Sequence, residues 1–139
     1  MGDTKKLLLI EDEIFIRDLY QKELSRNGYA IVTADDGLEG VKKAVEETPD
    51  LILLDIMLPI KNGIEVLKEL KKHPSTKHIP VLLLTNLGQE SIIREAFSLG
   101  AEGFLLKSEL VPKQILQELE DFFSGKKTKE SYLREFGAE

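Results

Sequence analysis

Five short apolar runs punctuate the chain, at residues 7–10, 30–32, 51–54, 81–84 and 104–106, and longer segments of helical period lie between them. The first, third and fourth are unbroken apolar blocks without polar alternation, the pattern of parallel strands covered on both faces. The second and fifth are shorter and more mixed, which suits the edges of a sheet. Ile16, Tyr20 and Leu24 recur every four residues, with Phe15 and Leu19 widening the stripe. Leu38, Val41 and Val45 behave alike, as do Ile64, Leu67 and Leu70. Ile92, Ile93, Ala96 and Phe97 form a fourth stripe, and Ile115, Leu116, Leu119, Phe122 and Phe123 a fifth. Asn27-Gly28 and Gly100 fall where helix C-caps belong, and Pro49, Pro74 and Pro112 mark the ends or starts of elements. A strand–helix unit repeated five times, with right-handed crossovers, predicts an α/β protein: an open three-layer (βα)5 sandwich around a doubly wound parallel sheet.

Composition narrows the function. A chain of 139 residues with 42% apolar and 32% charged residues fits one soluble domain. The absence of cysteine excludes disulfides, thiol catalysis and thiolate metal sites. A net charge of −6 argues against a nucleic-acid surface. The apolar runs are far too short to cross a membrane. Met1-Gly2 opens like a myristoylation signal, but Lys6 stands where that motif needs Ser or Thr. With no signal peptide, a cytoplasmic location is expected. Residues 1–125 are expected to form the domain, and 126–139 a tail or helix extension. There Lys126, Lys127 and Lys129 form a solvated face, and Tyr132, Leu133 and Phe136 return at helical spacing. Fourteen residues are too few for an output domain, so a stand-alone protein is expected.

Acidic residues end two of the runs: Glu11-Asp12 follows the first, and Asp55 follows the third. If those strands are neighbours and the strand order changes direction between them, the three acids converge in the crevice where open α/β sheets bind ligands. At about 4 Å and an effective dielectric near 20, each carboxylate pair repels by roughly 4 kcal/mol. Protons or a cation must offset this, and an all-oxygen cluster suits Mg²⁺. Thr85 ends the fourth run and Lys107 the fifth, adding a hydroxyl and an ammonium. Acids, a hydroxyl and a lysine suit phosphoryl transfer, where positioning and charge neutralisation carry the catalysis and a carboxylate can itself be the nucleophile. Glu13 more simply starts the first helix, where its charge meets the helix dipole.

Four segments and a glycine, in this order and spacing, resemble the receiver domains of two-component response regulators: Leu8-Leu9-Ile10-Glu11-Asp12-Glu13, Asp55-Ile56-Met57-Leu58-Pro59 with Gly63, Leu84-Thr85, and Gly103-Phe104-Leu105-Leu106-Lys107. The resemblance covers residues 5 to 125. It implies a flavodoxin-like sheet of order 2-1-3-4-5. It also implies that Asp55 accepts a phosphoryl group from the phosphohistidine of a sensor histidine kinase or histidine phosphotransfer protein. Asp12, Asp55 and the backbone carbonyl of Met57 would hold Mg²⁺, with Glu11 acting through a bound water. Lys107 would pair with phosphoryl oxygens. Thr85 would swing toward them and Phe104 would follow, passing the state to the face formed by the fourth helix, fifth strand and fifth helix. A downstream protein or a second copy would read that face. Such a protein catalyses its own phosphorylation and dephosphorylation but serves as a signalling switch.

The sequence departs from the family pattern at three positions. Ser108 follows Lys107 where proline is usual, Asn86 follows Thr85 where a small residue is common, and Phe104 lacks the hydroxyl a tyrosine would offer. The first two motivate an alternative, a phosphorylation-independent interaction module on the same fold. A phosphohydrolase would want a second Asp where Met57 stands, and a flavin site would want phosphate donors where Glu11 and Asp12 stand. His73 and His78 flank a proline-containing loop and are expected to be solvated.

Overall fold

Strands that are apolar at every position expose aliphatic surface unless neighbours cover both faces and both edges, and the chain gives three of them that place. The computed structural model describes residues 4–86, 88–109 and 111–137, so Met1-Gly2 lies outside the described residues. Its parallel sheet runs β2–β1–β3–β4–β5, with β1 at Lys6–Ile10, β2 at Ala30–Ala34, β3 at Leu51–Asp55, β4 at Val81–Thr85 and β5 at Gly103–Leu106. The three apolar blocks are the interior strands, and Leu7 to Ile10, Leu51 to Leu54 and Val81 to Leu84 are all buried. Truncating one of these leucines to Ala would cost about 2–5 kcal/mol.

The helices are α1 (Ile14–Arg26), α2 (Gly37–Glu47), α3 (Gly63–Lys72), α4 (Glu90–Ser98), α5 (Pro112–Phe123) and α6 (Lys129–Phe136). Helix α1 packs with α5 on one side, while α2, α3 and α4 pack in series on the other. This three-layer sandwich has the predicted strand order, with the interior and edge strands where the apolar pattern put them. No helix among the described residues is long and apolar enough to cross a membrane.

Two of the expected helix stripes are corrected. Phe15 is 87% exposed and Leu19 is 50% exposed, because α1 buries only the line of Tyr20 and Leu24 with Ile16 partly covered. Each lies one residue, or 100° of turn, off that line and faces solvent. On α2 the buried positions are Gly37, Gly40 and Ala44, while Leu38 is 61% exposed. The reason is close approach: a Cβ on Gly40 would stand 2.7 Å from Ile10 Cδ1, and one on Gly37 would run into the Lys61 carbonyl oxygen. Small residues let α2 lie against β1 and against the loop that follows β3.

Local signals fix the helix starts. Asp36 accepts the Glu39 amide at the head of α2 at 2.8 Å, and Asn62 and Glu65 form a reciprocal capping box on α3. Thr128 and Ser131 cap α6 in the same way. That helix turns back against β5 and buries Tyr132 to 1% exposure.

Gly37→Ala is expected to cost about 1–3 kcal/mol, as overpacking does, and Leu38→Ala about 0.5 kcal/mol or less, as an exposed site does. Urea unfolding of both variants checks this, and a larger loss for the leucine would refute the close-packed reading of α2.

Candidate functional site

The sheet order changes direction between β1 and β3, since β1 connects outward to β2 and β3 connects the other way to β4. In their parallel register Ile10 lies beside Leu54, so Glu11 and Asp55 leave the sheet side by side. One carboxylate oxygen from each of Glu11, Asp12 and Asp55 comes within 4.8 Å of the other two. Glu11 is fully buried and Asp55 nearly so, whereas Asp12 is exposed.

Lys107, one residue beyond β5, reaches across to both buried acids. Its Nζ lies 2.8 Å from Asp55 Oδ2 and 2.9 Å from Glu11 Oε1. The second contact is one of charge and lacks hydrogen-bond alignment, so Glu11 Oε1 is a buried acceptor without a directed donor among the described residues. The other oxygens are satisfied locally: Glu11 Oε2 accepts the Glu13 amide at 3.0 Å, and Asp55 Oδ1 accepts the Met57 amide at 3.0 Å. Arg17 Nη1 donates to the Glu11 carbonyl at 2.8 Å and ties α1 to the same corner.

These contacts set the protonation chemistry. Burial pushes the Glu11 carboxyl up to about 7, the nearby Asp55 charge adds to the rise, and Lys107 and the Glu13 amide oppose it. Burial also raises Asp55, against the pull of Lys107 and the Met57 amide. Burial alone would lower Lys107, but its contacts with Asp55 and Glu11 outweigh that and hold it above the ordinary lysine value. Lys107 meets two of the three clustered acids, Glu11 and Asp55, so one ammonium faces three carboxyl groups. An oxygen-only donor set with an undirected buried lone pair fits a hard divalent cation such as Mg²⁺.

Thr85, 1% exposed, ends β4 with its hydroxyl against the side-chain oxygen of Gln89, and that oxygen also takes the Asn86 amide at 2.8 Å. Asn86 thus contributes its backbone here. Gln89 was not singled out from the sequence: its contact joins two residues four apart across the turn into α4, and no strand or helix period marks it. Phe104 is half-buried, ringed by Phe97, Tyr132 and Phe136. Ser108 does not displace the lysine: the Lys107–Ser108 bond is trans within a short 3₁₀ turn, Lys107–Glu109, and Nζ still meets both acids. Met57 is exposed in the loop after β3. Glu13 is the N-cap residue of α1, without a side-chain cap bond. His73 and His78 are exposed and are not brought to this corner; His73 Nδ1 contacts the Ser75 hydroxyl at 2.8 Å.

Comparison with known proteins agrees with this geometry. The family model for the response regulator receiver domain matches residues 7–120. The alkaline phosphatase synthesis transcriptional regulatory protein PhoP of Bacillus subtilis is 44% identical over 104 residues, 75% of this chain and 42% of PhoP. The chain thus spans about two-fifths of the length of that relative. The chemotaxis protein CheY of Halobacterium salinarum is 35% identical over 104 residues, covering 75% of this chain and 85% of CheY. The crystal structure of the phosphorylated cyanobacterial phytochrome response regulator RcpA superposes with a TM-score of 0.75 at 33% identity, covering 86% of this chain and 94% of that one. With the sheet order, the acid cluster and the family match in agreement, this chain belongs to the response regulator receiver domain family of two-component signalling.

Proposed function

We propose that this receiver takes a phosphoryl group on Asp55 from the phosphohistidine of a sensor kinase or phosphotransfer protein and uses it to switch a partner-binding face. The observation that carries the reading is the contact of one lysine with two buried strand-end carboxylates. A carboxylate oxygen of Asp55 attacks phosphorus, the P–N bond breaks, and its electron pair returns to the donor imidazole. Lys107, already within hydrogen-bond reach of Asp55 Oδ2, moves its charge onto the phosphoryl oxygens. Thr85 donates a hydrogen bond from its hydroxyl to one of them. Glu11, Asp12, Asp55 and the Met57 carbonyl are the groups that would hold Mg²⁺, which when bound neutralises negative charge on the transferring group. Ile14 and Phe15, Met57 and Ile60, and Val111 are exposed apolar residues on segments leaving the C-terminal ends of β1, β3 and β5, and they offer a protein donor an apolar rim.

Residues up to about 125 carry this chemistry, and 126–139 form an appended segment. Relatives such as RcpA, whose structure is of the phosphorylated protein, support the reading. The phosphorylation-independent alternative draws on Ser108 and Asn86, but the lysine keeps both contacts and Asn86 acts through its amide. Neither departure therefore favours it.

Incubation with Mg²⁺ and a small acyl phosphate is expected to add one phosphoryl group, seen by intact mass, and Asp55→Asn to abolish it. Lys107→Ala should slow the reaction by about 10²-fold or more, as loss of a preorganised donor does. An adduct that Asp55→Asn accepts equally well would sink the assignment.

Stability should fall as pH rises from about 5 to 8 in the absence of divalent cations. Between the ordinary Glu11 value of 4.5 and the folded value of about 7 the folded state holds the extra proton, so raising the pH strips it from the folded side. The gap between 4.5 and about 7, at roughly 1.4 kcal/mol per pH unit, limits the Glu11 contribution to between about 3 and 4 kcal/mol. Asp55, also raised, acts in the same direction. Urea unfolding at both pH values measures the slope. Glu11→Gln should reduce it and Mg²⁺ should offset it most at the higher pH; an unchanged slope in Glu11→Gln would show that Glu11 is not its source.

A further inference from the structure

Five helices complete a (βα)5 sandwich, and α6 is a sixth. It is eight residues long, too short to hold helical structure on its own. Its order therefore comes from what it packs on, and that is β5 and α4. Tyr132 fills space above Gly103, where an added Cβ would stand 2.5 Å from the tyrosine ring. Phe136 sits edge-on to Phe104 at 5.6 Å and beside Phe97 at 6.3 Å, while Tyr132 lies 6.1 Å from Phe104. Polar contacts hold the margins: Arg94 lies over the Phe136 ring at 5.1 Å, Lys129 Nζ reaches the Phe97 carbonyl at 3.4 Å, and Lys127 pairs with Glu135 at 2.9 Å.

The underside of this contact leads to the site. A cavity of about 200 Å³ lies between Gln89, Ile93, Phe104, Leu106 and Phe136. Gln89, on its wall, is the residue against which the Thr85 hydroxyl rests, and Thr85 is the register partner of Leu106. A hydroxyl has one proton, so Thr85 reaches a phosphoryl oxygen on Asp55 only by leaving Gln89. That departure removes one of the two contacts on the Gln89 side-chain oxygen, on the wall Gln89 shares with Phe104 and Phe136. Any turn of the Phe104 ring into the changed space gives up its contacts with both aromatic residues of α6.

We propose that α6 is a tethered occupant of the α4–β5 face, docked in the unphosphorylated protein and released when Asp55 is phosphorylated, so that the face opens to a partner only then. This rests on the phosphoacceptor reading of Asp55. Because docking and helix formation are one event, release is local unfolding of residues 129–136 and leaves the sheet intact. The coupling must run both ways: if phosphorylation loosens α6, loosening α6 must favour phosphorylation by up to the same factor.

Hydrogen exchange on the full chain, before and after phosphorylation by acyl phosphate with Mg²⁺, tests the first arm. Amide protection within α6 is expected to fall about fivefold or more, within the usual range of coupling between sites, while β3 keeps its protection. Phe136→Ala tests the second arm, since this residue is only partly buried and lies outside the acid site. It should loosen α6 and raise the phosphorylated fraction at limiting acyl phosphate. A complete adduct by intact mass with unchanged α6 protection overturns the inference and leaves the phosphoacceptor reading standing. So does a Phe136→Ala protein whose α6 is loosened but whose phosphorylation matches wild type. Failure of the wild-type chain to form any adduct overturns the phosphoacceptor reading, and this inference with it.

Discussion

Two carboxyl groups buried at the ends of adjacent strands need protons or a positive charge to offset them, and Lys107 is the described residue whose charge meets both. Leaving one partner of a buried pair alone costs about 3–5 kcal/mol. The ammonium comes from the far edge of the sheet, while the acids come from its centre. Strand order, the C-terminal end of β5 and the protonation state of Glu11 are therefore bound together by one set of contacts. Even so, the balance is incomplete: burial wins over Lys107 at Glu11 and holds its carboxyl near neutrality. A fold settled with respect to charge would pair that group fully. Here the incompletely paired Glu11 carboxyl is the group that a cation would act upon.

The central strands were legible because burial on both faces removes every polar residue from residues 7–10, 51–54 and 81–84. The acids that follow them were legible for the same reason, since charge directly after such a run is costly and needs a cause. Helix faces were less so. Periodicity marks a stripe but not which side of it has neighbours, and Phe15 and Leu19 fall on the side of α1 that faces water. On α2 the contact is made by glycines, which a search for apolar side chains passes over.

The pairing of Thr85 with Gln89 lay beyond such reading, because it joins side chains across a turn whose path the residue types do not dictate. Ser108 shows the converse. Its substitution for proline stood out in the sequence, yet the 3₁₀ turn carries Lys107 to both acids without one.

Strand β5 has four residues and a neighbour on one side only, yet several parts of the molecule depend on it. Gly103 leaves room for Tyr132, Phe104 carries the aromatic contact with Phe136, Leu105 enters the core, and the next turn delivers Lys107 to the acids. An edge strand makes half the ladder bonds of an interior one and moves at lower cost. Charge gained or lost at Asp55 is felt first by Lys107, and Lys107 is three residues along the chain from Phe104. As the edge strand that links the charged site to the aromatic cluster, β5 is the segment on which the proposed release of α6 would depend.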